Sequence, residues 1–202
     1  MVDRVVVFVD WQNAYNRARD AFHGGAGPAW AGQVNPVQLG QCLTRKRPNR
    51  ELKEVRVYRG LPTNKHDPRG YAVNRRQAAA WKKLGGDRVY IYMRSLQYIA
   101  GKEPREKGID VQLAIDFVVM AVRGEYDVGI LVSADTDLIP ALDAVYDLNG
   151  ADKPWPEVAG WRGSFEQKRI TATRPRNITG LWIAQDEYDQ MKDETDYNIP
   201  TK

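Results

Sequence analysis

The chain has one cysteine, Cys42, and two histidines, His23 and His66, among 202 residues. A single cysteine excludes an intrachain disulfide and fits a reducing compartment, so a cytoplasmic protein is expected. Cys42 falls in an apolar helical pattern, which favours a buried, inert thiol over a nucleophile. No Cys/His cluster of the zinc-binding kind is present. Long apolar runs are also missing. The longest, Ile109–Val122, is broken by Asp110, Gln112 and Asp116, and falls short of the ~20 residues that span a bilayer. Val5–Val9 is too short for a signal core and has no basic segment before it. The glycine-rich stretch His23–Gln33 reads as a loop that matches neither the P-loop nor the dinucleotide fingerprint, so it carries no nucleotide-site claim.

What is present suits one α/β domain with a tail: residues 1–189, then an acidic segment at 190–202. Hydrophobic residues make up 43%, enough for a core. The net charge of +4 hides an asymmetry: Arg45–Lys107 holds 18 Lys/Arg against 6 Asp/Glu, and the remainder holds 12 against 20. A basic middle beside acids found mostly elsewhere suits a polyanion held near bound cations. Solvated helix faces are the ordinary alternative.

The element pattern is βαβαβαβα. Arg4–Val9 is a strand ending at Asp10, followed by a helix through Phe22. Asn35-Pro36 opens a helix to about Leu43. Leu52–Arg59 alternates as a second strand. Asp67-Pro68 starts a helix that Gly85-Gly86 stops. Arg88–Arg94 is a third strand. Ile109–Val122 is apolar nearly all round, which predicts a buried helix. Val128–Val132 is an apolar strand before the loop Ser133–Asp137, and a helix follows through Tyr146. Leu148–Pro154 and Lys168–Arg176 read as loops. Trp155–Trp161 reads as a weak edge strand because of its proline, Leu181–Ala184 as a short last strand, and Asp186–Lys202 as a short helix with a frayed tail. This is a three-layer α/β/α, Rossmann-like parallel sheet.

Carboxylates collect at the ends of these elements. Asp10 ends one apolar strand, and Asp135 and Asp137 follow another. In open α/β sheets, ligands bind outside the carboxyl ends of strands. If the two strands are parallel neighbours, Asp10 and Asp135 share one edge, and Asn13 lies close by. Ordinary helix capping by Asp10, Asp135 or Thr136 is the competing explanation. Asp110 sits in a first turn, where free backbone donors stabilise it. Asp116, about 120° further round the helix axis, needs a partner of its own: a cation, or an arginine under the sheet.

Three blocks in this order, VFVDWQN (Val7–Asn13), KGIDVQLAIDFV (Lys107–Val118) and YDVGILVSADTDLIPAL (Tyr126–Leu142), resemble the NYN domain of the PIN-like nuclease superfamily, close to its LabA-like group. The resemblance implies metal-dependent RNA cleavage giving a 5′-phosphate and a 3′-hydroxyl. It implies Asp10, Asp110, Asp135 and Asp137 as metal ligands, with Asn13 and Ser133 orienting ligands or water. Asp116, Lys107 and Thr136 stand in supporting positions. An all-oxygen donor set suits Mg²⁺ or Mn²⁺. Arg59, Arg75, Arg76 and Lys107 of the basic middle are the candidates for holding RNA. Trp81, Tyr90, Tyr92 and Tyr98 are candidates for stacking, although core packing is the simpler account of Tyr90 and Tyr92. RNA is the expected partner and a membrane is not; a homodimer or a regulatory protein partner fits as well. Two rival readings stand beside this one. The first is an RNA-binding regulatory module without catalysis. The second is a haloacid dehalogenase-like phosphohydrolase, for which the 65 residues after Asp137 leave little room.

Overall fold

Val5–Val9 are each 0% exposed and form the middle of the first strand. Side chains buried on both faces need cover on both, which calls for a sheet between two helical layers. The structure, a computed structural model, describes residues 1–148, 154–170 and 178–199. In chain order its elements are β1 (Asp3–Asp10), α1 (Trp11–His23), α2 (Pro36–Arg45), β2 (Arg50–Leu61), α3 (Pro68–Gly85) and β3 (Val89–Ser95). They continue with α4 (Ile109–Val122), β4 (Val128–Val132), α5 (Ile139–Tyr146), β5 (Trp155–Arg162), β6 (Gln167–Lys168), β7 (Thr179–Ile183) and α6 (Gln185–Met191).

The strand order is β3-β2-β1-β4-β5, with β7 on the outer side of β5. All of these pair in parallel, and the two-residue β6 pairs antiparallel against the end of β5. The chain winds outward from β1 through β2 to β3, then crosses back to β4 beside β1. The carboxyl ends of β1 and β4 therefore flank the point where the winding reverses, which is where open α/β sheets take ligands.

One face of the sheet buries Val5, Val7, Val9, Val55 and Val57 under α1, α2, α6 and Trp81 of α3. The other buries Val6, Phe8, Tyr58 and Leu131 under α4 and α5. Asp10 caps α1 through the Asn13 amide, Asn35 caps α2, and Asp67 caps α3, each with its side chain on a free backbone donor.

Several expectations need correcting. α4 is not buried all round: Val111, Ile115 and Val122 are 55%, 50% and 66% exposed, because sheet and α5 cover only part of its circumference. β5 is an interior strand, paired to β4 and β7. Pro156 is tolerated there because Trp155 sends its N–H to Asp127 on the β4 side, so the next amide position faces outward. On that side the β7 pairing begins only at Glu157. Up to residue 198 the acidic C-terminal segment is packed down rather than frayed. Arg76 donates to the Tyr197 and Asn198 carbonyls, Arg69 to Asn198 Oδ1, and the Asp193 amide to Gln33. Residues 149–153, 171–177 and 200–202, which include much of two expected loops, lie outside the described residues.

Candidate active site

The parallel pairing of β1 with β4 brings two strand ends to one place, and side chains from each tie them together. Ser133 Oγ donates to Asp10 Oδ2 at 3.0 Å and accepts the Asp135 amide at 3.0 Å. Asn13 Oδ1 accepts the Ala134 amide at 2.9 Å. Asp135 Oδ1 accepts the Asp137 amide at 3.0 Å, which opens the one-turn 3₁₀ helix Thr136–Leu138. Asp10 and Asp135 thus do cap helix starts, as the ordinary reading has it.

Asp10 carries more than a cap requires. Burial raises its pKa to about 6, against hydrogen bonds from Ser133 and Asn13 that lower it; the neighbouring Glu106 and Asp135 carboxylates raise it further. A carboxylate held this way by its surroundings marks a candidate functional position.

Two of the remaining predicted acids share a separate groove. Asp137 and Asp110 are exposed and line one groove of about 450 Å³ with Leu138, Pro140 and the apolar side of α4. Thr136 and Lys107 are exposed. Asp116 has a different role: Tyr58 donates to its Oδ2 at 2.7 Å, Arg56 at 3.3 Å, and Gln112 to its Oδ1 at 2.8 Å. It has the arginine under the sheet, and its carboxylate is taken up there rather than at the strand ends.

The basic candidates divide in the same way. Arg75 and Lys107 are exposed. Arg76 is held by C-terminal carbonyls, and Arg59 is turned inward, its guanidinium carbon 5.6 Å from the ring centroids of both Trp11 and Trp81. Trp81 is 0% exposed and is core, not a stacking platform. Arg56 lies over the Tyr90 ring at 3.9 Å, Tyr92 packs on Tyr58, and Tyr98 stacks on His66 at 4.0 Å. Cys42 is half-buried beside Glu187, and burial pushes its thiol up to about 11, which suits an inert thiol.

Two residues at the site escape the sequence reading. Glu106 accepts the Gly60 amide at 2.6 Å and is close enough to raise the Asp10 pKa. Gly60 permits this approach, since a Cβ there would stand 2.6 Å from Glu106 Oε1. The signal was the glycine at the end of β2, where ligands and loops come close. Lys168 lines the crevice that holds Asn13, Ser133 and Ala134, because the Ile170 amide binds the Ser133 carbonyl and draws β6 alongside. No spacing in the sequence announces that.

The donor set is carboxylate, amide and hydroxyl oxygen, the chemistry that Mg²⁺ and Mn²⁺ prefer. Among the described residues, no three His, Cys, Asp or Glu side chains are close enough to hold an ion as they stand. A magnesium site needs only one or two carboxylates, with waters and substrate phosphates completing the shell. Ser133 ties the Asp10 carboxylate to the backbone amide of Asp135, so these two acids are the pair such a site would call on. Among the described residues no helix is long and apolar enough to cross a membrane.

No functionally curated protein matches the chain. A crystal structure of a protein of unknown function from Vibrio parahaemolyticus shares the fold, with a TM-score of 0.54 at 18% identity, covering 92% of this chain and 94% of that one. The NYN domain matches residues 4–151, which take in β1, β4 and every residue of the acidic centre. The protein belongs to the NYN domain family, whose members fall in the PIN-like nuclease superfamily.

Proposed function

We propose that the protein is a ribonuclease that uses Mg²⁺ or Mn²⁺ to hydrolyse RNA phosphodiester bonds. The observation that carries this reading is the joined strand-end centre, in which Asp10 is raised to about 6 beside Asp135 and Glu106. Neighbouring carboxylates at a reversal point of the sheet repel one another, and a cation would relieve that repulsion. Asp10 and Asp135 would hold it, and Asp110 and Asp137 would bind its waters or complete its shell. Once bound, the ion would polarise the scissile phosphate and acidify an attacking water.

The chain's own groups do the rest. Ser133 fixes the Asp10 carboxylate, and Asn13 fixes the Ala134 backbone ahead of Asp135. Glu106 adds negative charge that strengthens cation binding and also offers a base for a water proton. Lys168, Arg75 and Lys107, all exposed, would meet phosphates of the strand and make binding salt-dependent. The test is cleavage of a mixed, 5′-labelled RNA pool by wild type and Asp135→Asn in Mg²⁺, Mn²⁺ or EDTA. Cleavage lost in the variant and in EDTA is expected. Full activity in the variant overturns the assignment.

A second reading is an RNA-binding module without turnover. It is favoured by the absence, among the described residues, of three close metal-binding side chains. Metal-independent RNA binding with no cleavage of any substrate would select it. The phosphohydrolase reading gives Asp10 no role and has no support from the acidic centre.

A further inference from the structure

Trp11, the residue after Asp10, lines a second cavity of about 400 Å³ that belongs to no part of the acidic centre. Tyr15, Trp30 of the glycine-rich loop, Arg59, Gln33 and Gln77 form its other walls, and residues 194–198 close one side. The volume lies within the ~300–1,000 Å³ of small-molecule sites.

Arg59 gives the cavity its chemistry. Its Nη1 donates to Gln77 Oε1 at 2.6 Å, and Gln77 in turn donates to Gln33 Oε1. Gln33 then donates to the Asp193 and Thr195 carbonyls. This chain of buried amides fixes the guanidinium on the faces of Trp11 and Trp81. Arg59 Nε is buried and has no hydrogen-bond partner among the described residues. Burial lowers the guanidinium pKa to about 10, with the Glu106 charge acting in the other direction. A positioned, under-compensated buried cation is unfavourable unless something supplies an anion.

We propose that this cavity is a nucleotide pocket, which takes one unstacked nucleotide with its base against Tyr15 and Trp30 and its phosphate on Arg59. Aromatic walls supply the stacking surface that bases of any sequence use. The mouth limits the charge admitted. Glu194 and Asp196 line that side and repel further negative charge, so a monophosphate fits better than a polyphosphate. The pairing of β1 with β2 sets Tyr58 opposite Asp10, which puts Arg59 one residue beyond, at the same carboxyl edge of the sheet. The nucleotide held there would flank the scissile phosphate. That last step rests on the ribonuclease reading; the pocket does not.

The test uses the full chain in EDTA, titrated with each ribonucleoside 5′-monophosphate and followed by tryptophan fluorescence and calorimetry. Saturable binding is expected, with inorganic phosphate and unphosphorylated nucleosides each about tenfold weaker or worse. Arg59→Met should weaken monophosphate binding about tenfold or more. Tyr15→Ala, which keeps Arg59, should weaken it too and serves if the first variant does not fold. In the cleavage assay, monophosphates should compete with RNA, and Arg59→Met should raise KM more than it lowers kcat. Monophosphate binding with no cleavage in any metal keeps the pocket, as a site for a free nucleotide, and removes the ribonuclease reading. RNA cleavage with no monophosphate binding and an unchanged KM in Arg59→Met overturns the pocket and leaves the ribonuclease. Phosphate alone binding as tightly as the nucleotides also overturns it.

Discussion

Ser133 donates to Asp10 at 3.0 Å across 123 positions of sequence, and this one hydroxyl joins the ends of β1 and β4. The bond lowers a carboxyl pKa that burial has raised. Ser133→Ala should therefore push the Asp10 pKa up further. The rising limb of the pH–activity profile should move to higher pH, and cleavage at neutral pH should fall about tenfold. An unmoved limb would show that Asp10 ionisation does not control activity.

Asp10 also makes stability depend on pH in a direction unusual for aspartate. Its pKa is raised from 3.8 to about 6, so the folded state holds the proton more tightly than the unfolded chain. Stability should fall as pH rises from about 4 through 6, then level off. Asp10→Asn keeps a capping side chain and removes this titration. It should be more stable than wild type by about 1–3 kcal/mol at pH 7, with the two converging near pH 4. Urea melts in EDTA at several pH values would show it.

Divalent cations should act on the same strain. Mg²⁺ or Mn²⁺ at a hundredfold excess over Kd should stabilise wild type by about 2.7 kcal/mol. EDTA should reverse the effect, and Asp10→Asn and Asp135→Asn should each abolish most of it. Thermal melts with and without metal report this apart from any RNA.

Asp116 should behave as structure. Asp116→Ala leaves Tyr58 and Arg56 without their shared acceptor and should cost about 1–3 kcal/mol. RNA cleavage by the folded variant should stay within about twofold of wild type, the range of a change that leaves transition-state contacts intact. A hundredfold loss of cleavage at full stability would return Asp116 to the active site.

The parts of this molecule legible in its sequence are those governed by local pattern. Val5–Val9 and Val128–Val132 announce buried parallel strands, and a carboxylate after each marks the carboxyl edge. Alternation and periodicity cannot say what covers an element. α4 is therefore less buried than its composition suggests, and β5 gains a neighbour because β7 arrives late in the chain. Arg59 and Arg76 look alike as basic residues in a basic region. Only the third dimension turns one onto two tryptophans and gives the other to the carbonyls of Tyr197 and Asn198. Glu106 was hidden for a related reason, since its tie to Gly60 joins a loop to a strand end 46 residues away.

The placement of β5 and β7 has a practical consequence for anyone cutting this gene. The recognisable stretch of sequence stops at 151, yet Val158, Ala159, Trp161 and Ile183 beyond it complete the packing around β4. A fragment trimmed to the recognisable stretch would turn β4, with all five of its residues buried here, into an open apolar edge. Such an edge recruits other strands, so the fragment should be found in inclusion bodies while the full chain stays in solution.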